Sequence, residues 1–465
     1  MGLTVYGDMI SQPSRSVFLF CKVTGVPYTE KPIAIFKGEH KGEDYLKINP
    51  FGQVPSIKDD DFVLTECFSI MKYLADKHKV ADHWYPAELK ARAKVNEYLD
   101  WHHTGLRKGG MDICREQFLK PLLFGMPTDE EKLVKDYDNF DKILGVVEKT
   151  FLGDGDFLCG DEITIADICA ISEFTEIFWF QRPGTDILAN HPKLAAWKDR
   201  VAKLLNPAYD EVHQDLVKFA ESKNCSVFEF VLSPLHHPPL TMGLTVYAHG
   251  VSQPSRTVNI FCKVNKLDYT DTSIDLMTGE HKKEPYLKIN PAGQVPAIVD
   301  DDFCLAECGT ILKYIAQKFK VADHWYPTGD LVAQARVNEY IDWQHTGLRK
   351  AGCDIFIGTV FTPMSTGKPI DEEKLAKDYE TFDKTLGVME MMFLKDKQFL
   401  CADKISIADI MAISELTQVL SIQRHDVLAK HPKLAAWKDR VVKELNPCYD
   451  EVNKVLMGFV ASIKK

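Results

Sequence analysis

The stretch KINPFGQVPSIKDDDFVLTEC, residues 47–67, returns as KINPAGQVPAIVDDDFCLAEC at residues 288–308. In each, Val-Pro opens a short run, an acidic turn breaks it, and a second run ends at Glu-Cys. This reads as two hairpin strands, VPSIKDD and DFVLT, with a helix from Glu66 to Lys79. Upstream, LTVYG reads as a strand and Pro13–Gly25 as a helix with Pro early and Gly at its end. YTEKPIAI is the next strand. Residues 1–80 thus read as βαβ, a connection, then ββα.

From residue 87 the pattern changes to long amphipathic segments, such as ARAKVNEYLDWHHTGLRK and DEEKLVKDYDNFDKILGVVEKTFL. Residues 87–225 are therefore expected to be all helical. Within them Thr164 and Asp167 form a capping box, flanked by Ile163 and Ile168 at the spacing of a hydrophobic staple. Ser406, Asp409, Ile405 and Ile410 repeat it.

The repetition covers nearly the whole chain. MGLTVY recurs at Met242, SQPSR moves from Ser11 to Ser252, VADHWYP from Val80 to Val321, and HPKLAAWKDR from His191 to His431. So long a period excludes a solenoid and implies two complete proteins fused end to end. The expected order is 1–80 and 87–225 for the first copy, a proline-bearing connector at 226–241, then 242–321 and 328–465 for the second.

The 465 residues are 45% hydrophobic and 26% charged, the balance of a folded, soluble chain. A formal net charge of −11 supplies no field for nucleic acid phosphates, so no nucleic acid partner is expected. No 18-residue apolar run exists, and the opening residues lack a signal peptide's pattern, so no membrane partner and a cytoplasmic location are expected. Twelve cysteines without a CxxC argue for reduced thiols rather than a disulfide framework or a dithiol redox site.

Three local features could carry chemistry. Ser11 stands where the first strand gives way to a helix, beside amide donors that favour an anion; the alternative is that Ser11 or Ser14 merely caps the helix. Gly-Gln-Val-Pro at 52–55 and 293–296 could hold a cis bond and leave Val54 and Val295 free to pair with a peptide ligand, or be a structural turn. Glu66, in TEC, could accept an ammonium group, or serve only the helix dipole. Together they describe a cleft for a thiol peptide with a free amino acid end. The histidine pairs at 102–103 and 236–237 lack further ligands at metal spacing, and no metal is expected. FWFQRP, 178–183, reads as a pocket wall or as core.

Taken together, ISQPSR or VSQPSR, GEHK, KINP..GQVP, the DDDF turn, TEC or AEC and ADHWYP make each half resemble a theta-class glutathione transferase along nearly its full length. The resemblance implies a duplicated glutathione transferase fold, α/β plus all-α: a thioredoxin-like domain, then a helical domain, in each copy. It implies transfer of glutathione, the co-substrate, to small hydrophobic electrophiles, and reduction of organic hydroperoxides. The alternative is a catalytically weak ligand-binding or crystallin-type protein. Such relatives dimerise, so the copies are expected to pair within the chain as a pseudo-dimer or between chains.

By that resemblance Ser11 and Ser252 hold the sulfur as thiolate, aided by Arg107 and Arg349. Lowering a thiol pKa from about 8.5 to about 6.5 takes roughly 2.7 kcal/mol, within reach of a hydrogen bond and one cation. Val54–Pro55 and Val295–Pro296 pair with the cysteinyl backbone. His40, Lys41 and Gln53, with His281, Lys282 and Gln294, attend the glycyl carboxylate. Glu66 and Glu307 meet the γ-glutamyl end, beside Cys67 and Cys308 where theta enzymes usually carry serine. Copy two also exchanges Asp8 for His249 and Gly7 for Ala248.

Overall fold

A computed structural model describes residues 2–182, 185–221 and 243–463. The connector expected at 226–241, the His236–His237 pair and Pro183 lie outside the described residues. The chain divides into two compact units, Met1–Pro238 and Pro239–Lys465.

The first unit opens with β1 Leu3–Gly7, α1 Gln12–Thr24, β2 Thr29–Pro32, α2 Glu43–Leu46, β3 Ser56–Asp59, β4 Phe62–Thr65 and α3 Cys67–His78. The sheet order is β2-β1-β3-β4, with β1 parallel to β2 and the other pairs antiparallel. Alternation fixes the register: Leu3 and Val5 face the core, and Val5 lies opposite Ile57. The hairpin turns through Asp60 at φ +52, a left-handed conformation that aspartate tolerates. Gly25, at φ +71, ends α1.

The helical part holds α4 Leu89–His102, α5 Leu106–Cys114, α6 Lys120–Phe124, α7 Glu130–Val146, α8 Ile165–Phe180, α9 Pro192–Leu205 and α10 Ala208–Glu221. A π-helical turn, Arg115–Leu119, joins α5 to α6. Helix α8 is buried on nearly all sides, as a central helix must be. It packs against α1 and α5, so whatever polar groups it carries lie beneath the strand-to-helix corner of the sheet domain.

The second unit repeats this order: β5 Leu244–Ala248, α11 Gln253–Val264, β6 Thr270–Ser273, β7 Ala297–Asp300, β8 Phe303–Ala306 and α12 Cys308–Lys318. Its sheet order is β6-β5-β7-β8. There follow α13 Leu331–Gln344, α14 Leu348–Phe356, α15 Thr362–Thr366, α16 Glu372–Met389, α17 Ile407–Leu420, α18 Pro432–Leu445 and α19 Cys448–Ile463. Both capping boxes form as the sequence expects. Among the described residues no helix is long and apolar enough to cross a membrane.

Candidate active site

The pentapeptide SQPSR turns β1 into α1, and its side chains reach far along the chain. Gln12 Nε2 donates to Ser16 Oγ at 3.1 Å and to the Cys169 carbonyl at 3.2 Å. Arg15, fully buried, donates to the Met9 and Ile10 carbonyls at 3.1 and 2.7 Å, to the Ser172 carbonyl at 3.3 Å and to Glu176 at 2.9 Å. These bonds pin the strand exit to α8. Ser11 makes no capping bond through its side chain, and Ser252 Oγ accepts only a long 3.5 Å contact from the Ser255 amide. Capping therefore leaves both hydroxyls largely unspent.

The Val-Pro segments are built alike. The Val54–Pro55 and Val295–Pro296 bonds are cis. Tyr45 Oη and Asn49 Nδ2 each donate to the Gln53 carbonyl at 2.7 Å, so the turn is braced from behind. Gly52 has φ +57, and a Cβ there would lie 2.8 Å from the His40 carbonyl. Only glycine lets the His40–Lys41 turn approach so closely. Burial first, then the Lys41 ammonium, holds the His40 imidazole below its usual pKa. Glu66 and Glu307 open their helices at φ +66 and +64, ψ +116 and +119, a strained conformation for a non-glycine residue. An ordinary first-turn residue needs no such strain, and strain of this kind gathers at ligand clamps.

Arg107 comes from α5 in the helical part. It donates to Gln12 Oε1, next to Ser11, and to Glu173 on α8 at 3.1 Å. In the second unit Arg349 donates to Glu415 at 3.2 Å, while Gln253 Nε2 donates to Glu415 at 2.8 Å and to Cys353 Sγ at 3.2 Å. Ser252, His281, Lys282, Gln294, Val295, Pro296, Glu307, Cys308 and Arg349 all line a single cavity of about 590 Å³. That volume lies within the range of small-molecule pockets, ~300–1,000 Å³.

The units differ beneath this corner. In the first, Arg15 and Arg107 face Glu173 and Glu176, a balanced set of charges. Burial would raise Glu173, but Arg107, His102 and Arg15 outweigh it and hold the carboxyl below its ordinary value. In the second, Gln418 takes the place of Glu176, and Arg256 donates to Gln418 Oε1 at 2.8 Å and to Asn453 Oδ1 at 2.9 Å. Glu415 is then the single carboxylate on α17 facing two guanidinium groups. Burial pushes Arg256 down to about 10, still charged at neutral pH, so this cradle carries one surplus positive charge.

Sequence reasoning missed Gln12, Arg15, Glu173 and their counterparts. A signal was present in ICAISEFTEIFWF, where two glutamates interrupt an otherwise apolar helix. Of the other expectations, Phe178 and Phe180 are buried, with Phe180 stacked on Phe118 at 4.4 Å. His102 packs in the core beside Tyr98 and Glu173. Among the described residues, no group of three or more His, Cys, Asp or Glu side chains is arranged to hold a metal.

Comparison with known proteins identifies the family. Models of the glutathione S-transferase N-terminal domain match residues 11–77 and 242–317, and the C-terminal domain model matches 112–204 and 348–444. The chain is 38% identical to glutathione S-transferase theta-1 of Bos taurus over 224 residues, 48% of this chain and 92% of that protein. It is 39% identical to theta-3 of Mus musculus over 219 residues, 47% of this chain and 90% of that one. A solved structure of human glutathione transferase theta-2, in complex with glutathione and an unknown ligand, is 36% identical with a TM-score of 0.45, covering 49% of this chain and 93% of its own. With both of the family's domains occurring twice, this chain belongs to the theta-class glutathione S-transferases and is a transferase in tandem form.

Proposed function

We propose that each copy binds glutathione, ionises its thiol, and transfers the sulfur to small apolar electrophiles. One observation carries this reading: a serine hydroxyl, a fixed guanidinium, a Val-Pro edge and a strained helix-opening glutamate share one cavity of the second unit. In this reading Ser252 Oγ–H donates to the thiolate and the Arg349 charge favours it; Ser11 and Arg107 act likewise. Val54 and Val295 pair with the cysteinyl backbone. Glu66 and Glu307 accept the γ-glutamyl ammonium, while the amides of Cys67 and Cys308 face its carboxylate. His40, Lys41 and Gln53, with His281, Lys282 and Gln294, attend the glycyl end.

The thiolate attacks an electrophilic carbon, a carbon–sulfur bond forms, and the leaving group departs with the bond's electron pair. With an organic hydroperoxide the same sulfur attacks oxygen, releasing the alcohol; a second glutathione then yields the disulfide and water. Replacing both serines, Ser11→Ala with Ser252→Ala, is expected to lower kcat/KM for an alkyl halide about 100-fold, the usual cost of one preorganised donor. A rate equal to that of the native chain would remove this mechanism.

The buried charge difference adds a second expectation. A unit charge a turn or two of helix away is worth about 1–2 kcal/mol at an effective dielectric near 20, hence roughly one pH unit. A nearby carboxylate opposes thiolate formation. Gln418→Glu should therefore raise the pKa of glutathione bound in the second copy by about one unit, and Glu176→Gln should lower it in the first. Thiolate absorbance titrated with the other copy's serine replaced by alanine reads both.

A further inference from the structure

The second unit's cavity runs from Ser252 to an apolar wall. Phe356 and Phe361 meet at 5.5 Å, Phe459 stands 6.3 Å from Phe361, and Met277 and Met411 complete the wall. The equivalents of Met277 and Phe459 in the first unit are Phe36 and Phe219. These two rings stack on each other at 5.3 Å with planes 27° apart, and Phe36 is 45% exposed. Phe36 sits on the turn after β2, and Phe219 near the end of α10, so the stack ties the first unit's sheet domain to α10. Behind it Phe118, which replaces Val360, lies edge-on to Phe219 at 5.8 Å and stacks on Phe180, which replaces Ile422.

Below this stack the first unit's side chains are smaller. Cys114 stands where the second has Phe356, and Cys169 where it has Met411. The lip differs too: Ile357, half exposed at the second cavity, corresponds to Arg115. One copy thus carries a stacked pair of rings above small side chains; the other has a cavity walled by rings. Offset stacking occupies one face each of Phe36 and Phe219, so a flat guest that is to stack between them must displace that pair.

We propose that the copies divide the electrophiles by size: the second takes flat, ring-bearing groups, and the first admits only compact alkyl groups beneath the Phe36–Phe219 stack. This rests on the reading that each copy holds glutathione at its sheet-domain edge, but not on the role of either serine. Titration calorimetry of the full chain with unreactive conjugates tests it. S-methylglutathione is expected to bind at two sites per chain, and S-(naphthylmethyl)glutathione at one. The single naphthylmethyl site should vanish with Glu307→Ala and persist with Glu66→Ala. Phe219→Ala, or Phe36→Met in case the first variant fails to fold, should restore a second naphthylmethyl site and improve its affinity there at least tenfold.

Two equally strong naphthylmethyl sites in the native chain would overturn the division, as would a single site lost with Glu66→Ala. S-methylglutathione binding at neither copy would instead remove the glutathione-binding reading, and the division with it.

Discussion

On acidification the first unit loses stability before the second. His213 on α10 is buried, with Nδ1 2.8 Å from the Tyr209 carbonyl, and its Nε2 makes no hydrogen bond. Burial, then the Arg15 charge, pushes its pKa down to about 3. An unfolded histidine titrates near 6.5. Between those values the unfolded chain takes a proton that the folded chain refuses, so stability falls as pH drops from about 6.5 towards 3. By pH 5 the loss is about 2 kcal/mol.

His102, also held down by burial, adds to it. In the second unit these positions are Gln344 and Asn453, which do not titrate, and Asn453 instead accepts from Arg256 Nε at 2.9 Å. Hydrogen exchange followed on peptides of α10 and α19 between pH 7 and 5 should show α10 deprotected first, and His213→Asn should close most of the gap. Equal acid sensitivity of the two peptides would refute this account.

The larger effect belongs to the capping aspartates. Asp409 Oδ1 accepts from the Leu400 amide at 2.9 Å and the Trp437 indole at 2.8 Å, and Oδ2 from the Ser406 amide at 2.9 Å and hydroxyl at 3.0 Å. Asp167 does the same for Leu158, Trp197 and Thr164. Replacement by alanine strands several buried donors at once, each costing about 1–3 kcal/mol. A loss of roughly 4 kcal/mol, or about 10 °C in the Tm of the affected unit, is expected of Asp409→Ala by calorimetric melting. A shift under about 2 °C would mean that water replaces the carboxylate freely, against the full burial of Trp437.

The capping role of Asp167 was legible from four letters because its bonds to Thr164 are local, whereas its bond to Trp197, 30 residues on, was not. The β1 strand, the DDDF turn and the Gly25 terminus were legible for the same reason. Arg15 was not. Its partner Glu176 lies 161 residues away, and nothing within SQPSR distinguishes a buried guanidinium from an exposed one. Ser11 shows the limit from the other side, since local chemistry offered a helix cap that the backbone does not use. The Cys67 and Cys308 positions were read as departures, and both are buried at helix starts; burial pushes the Cys308 thiol up, so it stays protonated there. The stack of Phe36 on Phe219 was beyond reach, because it depends on where the last helix ends up relative to a loop that precedes it by more than 180 residues.

The exchange of Glu176 for Gln418 has a consequence for how a duplicated gene drifts. An amide and a carboxylate have the same outline, and each accepts from its unit's equivalent arginine, Arg15 or Arg256. A single-codon change there resets the local field while the helix and the arginine beside it keep their places. Twin sites can part company in reactivity long before their folds show any sign of it.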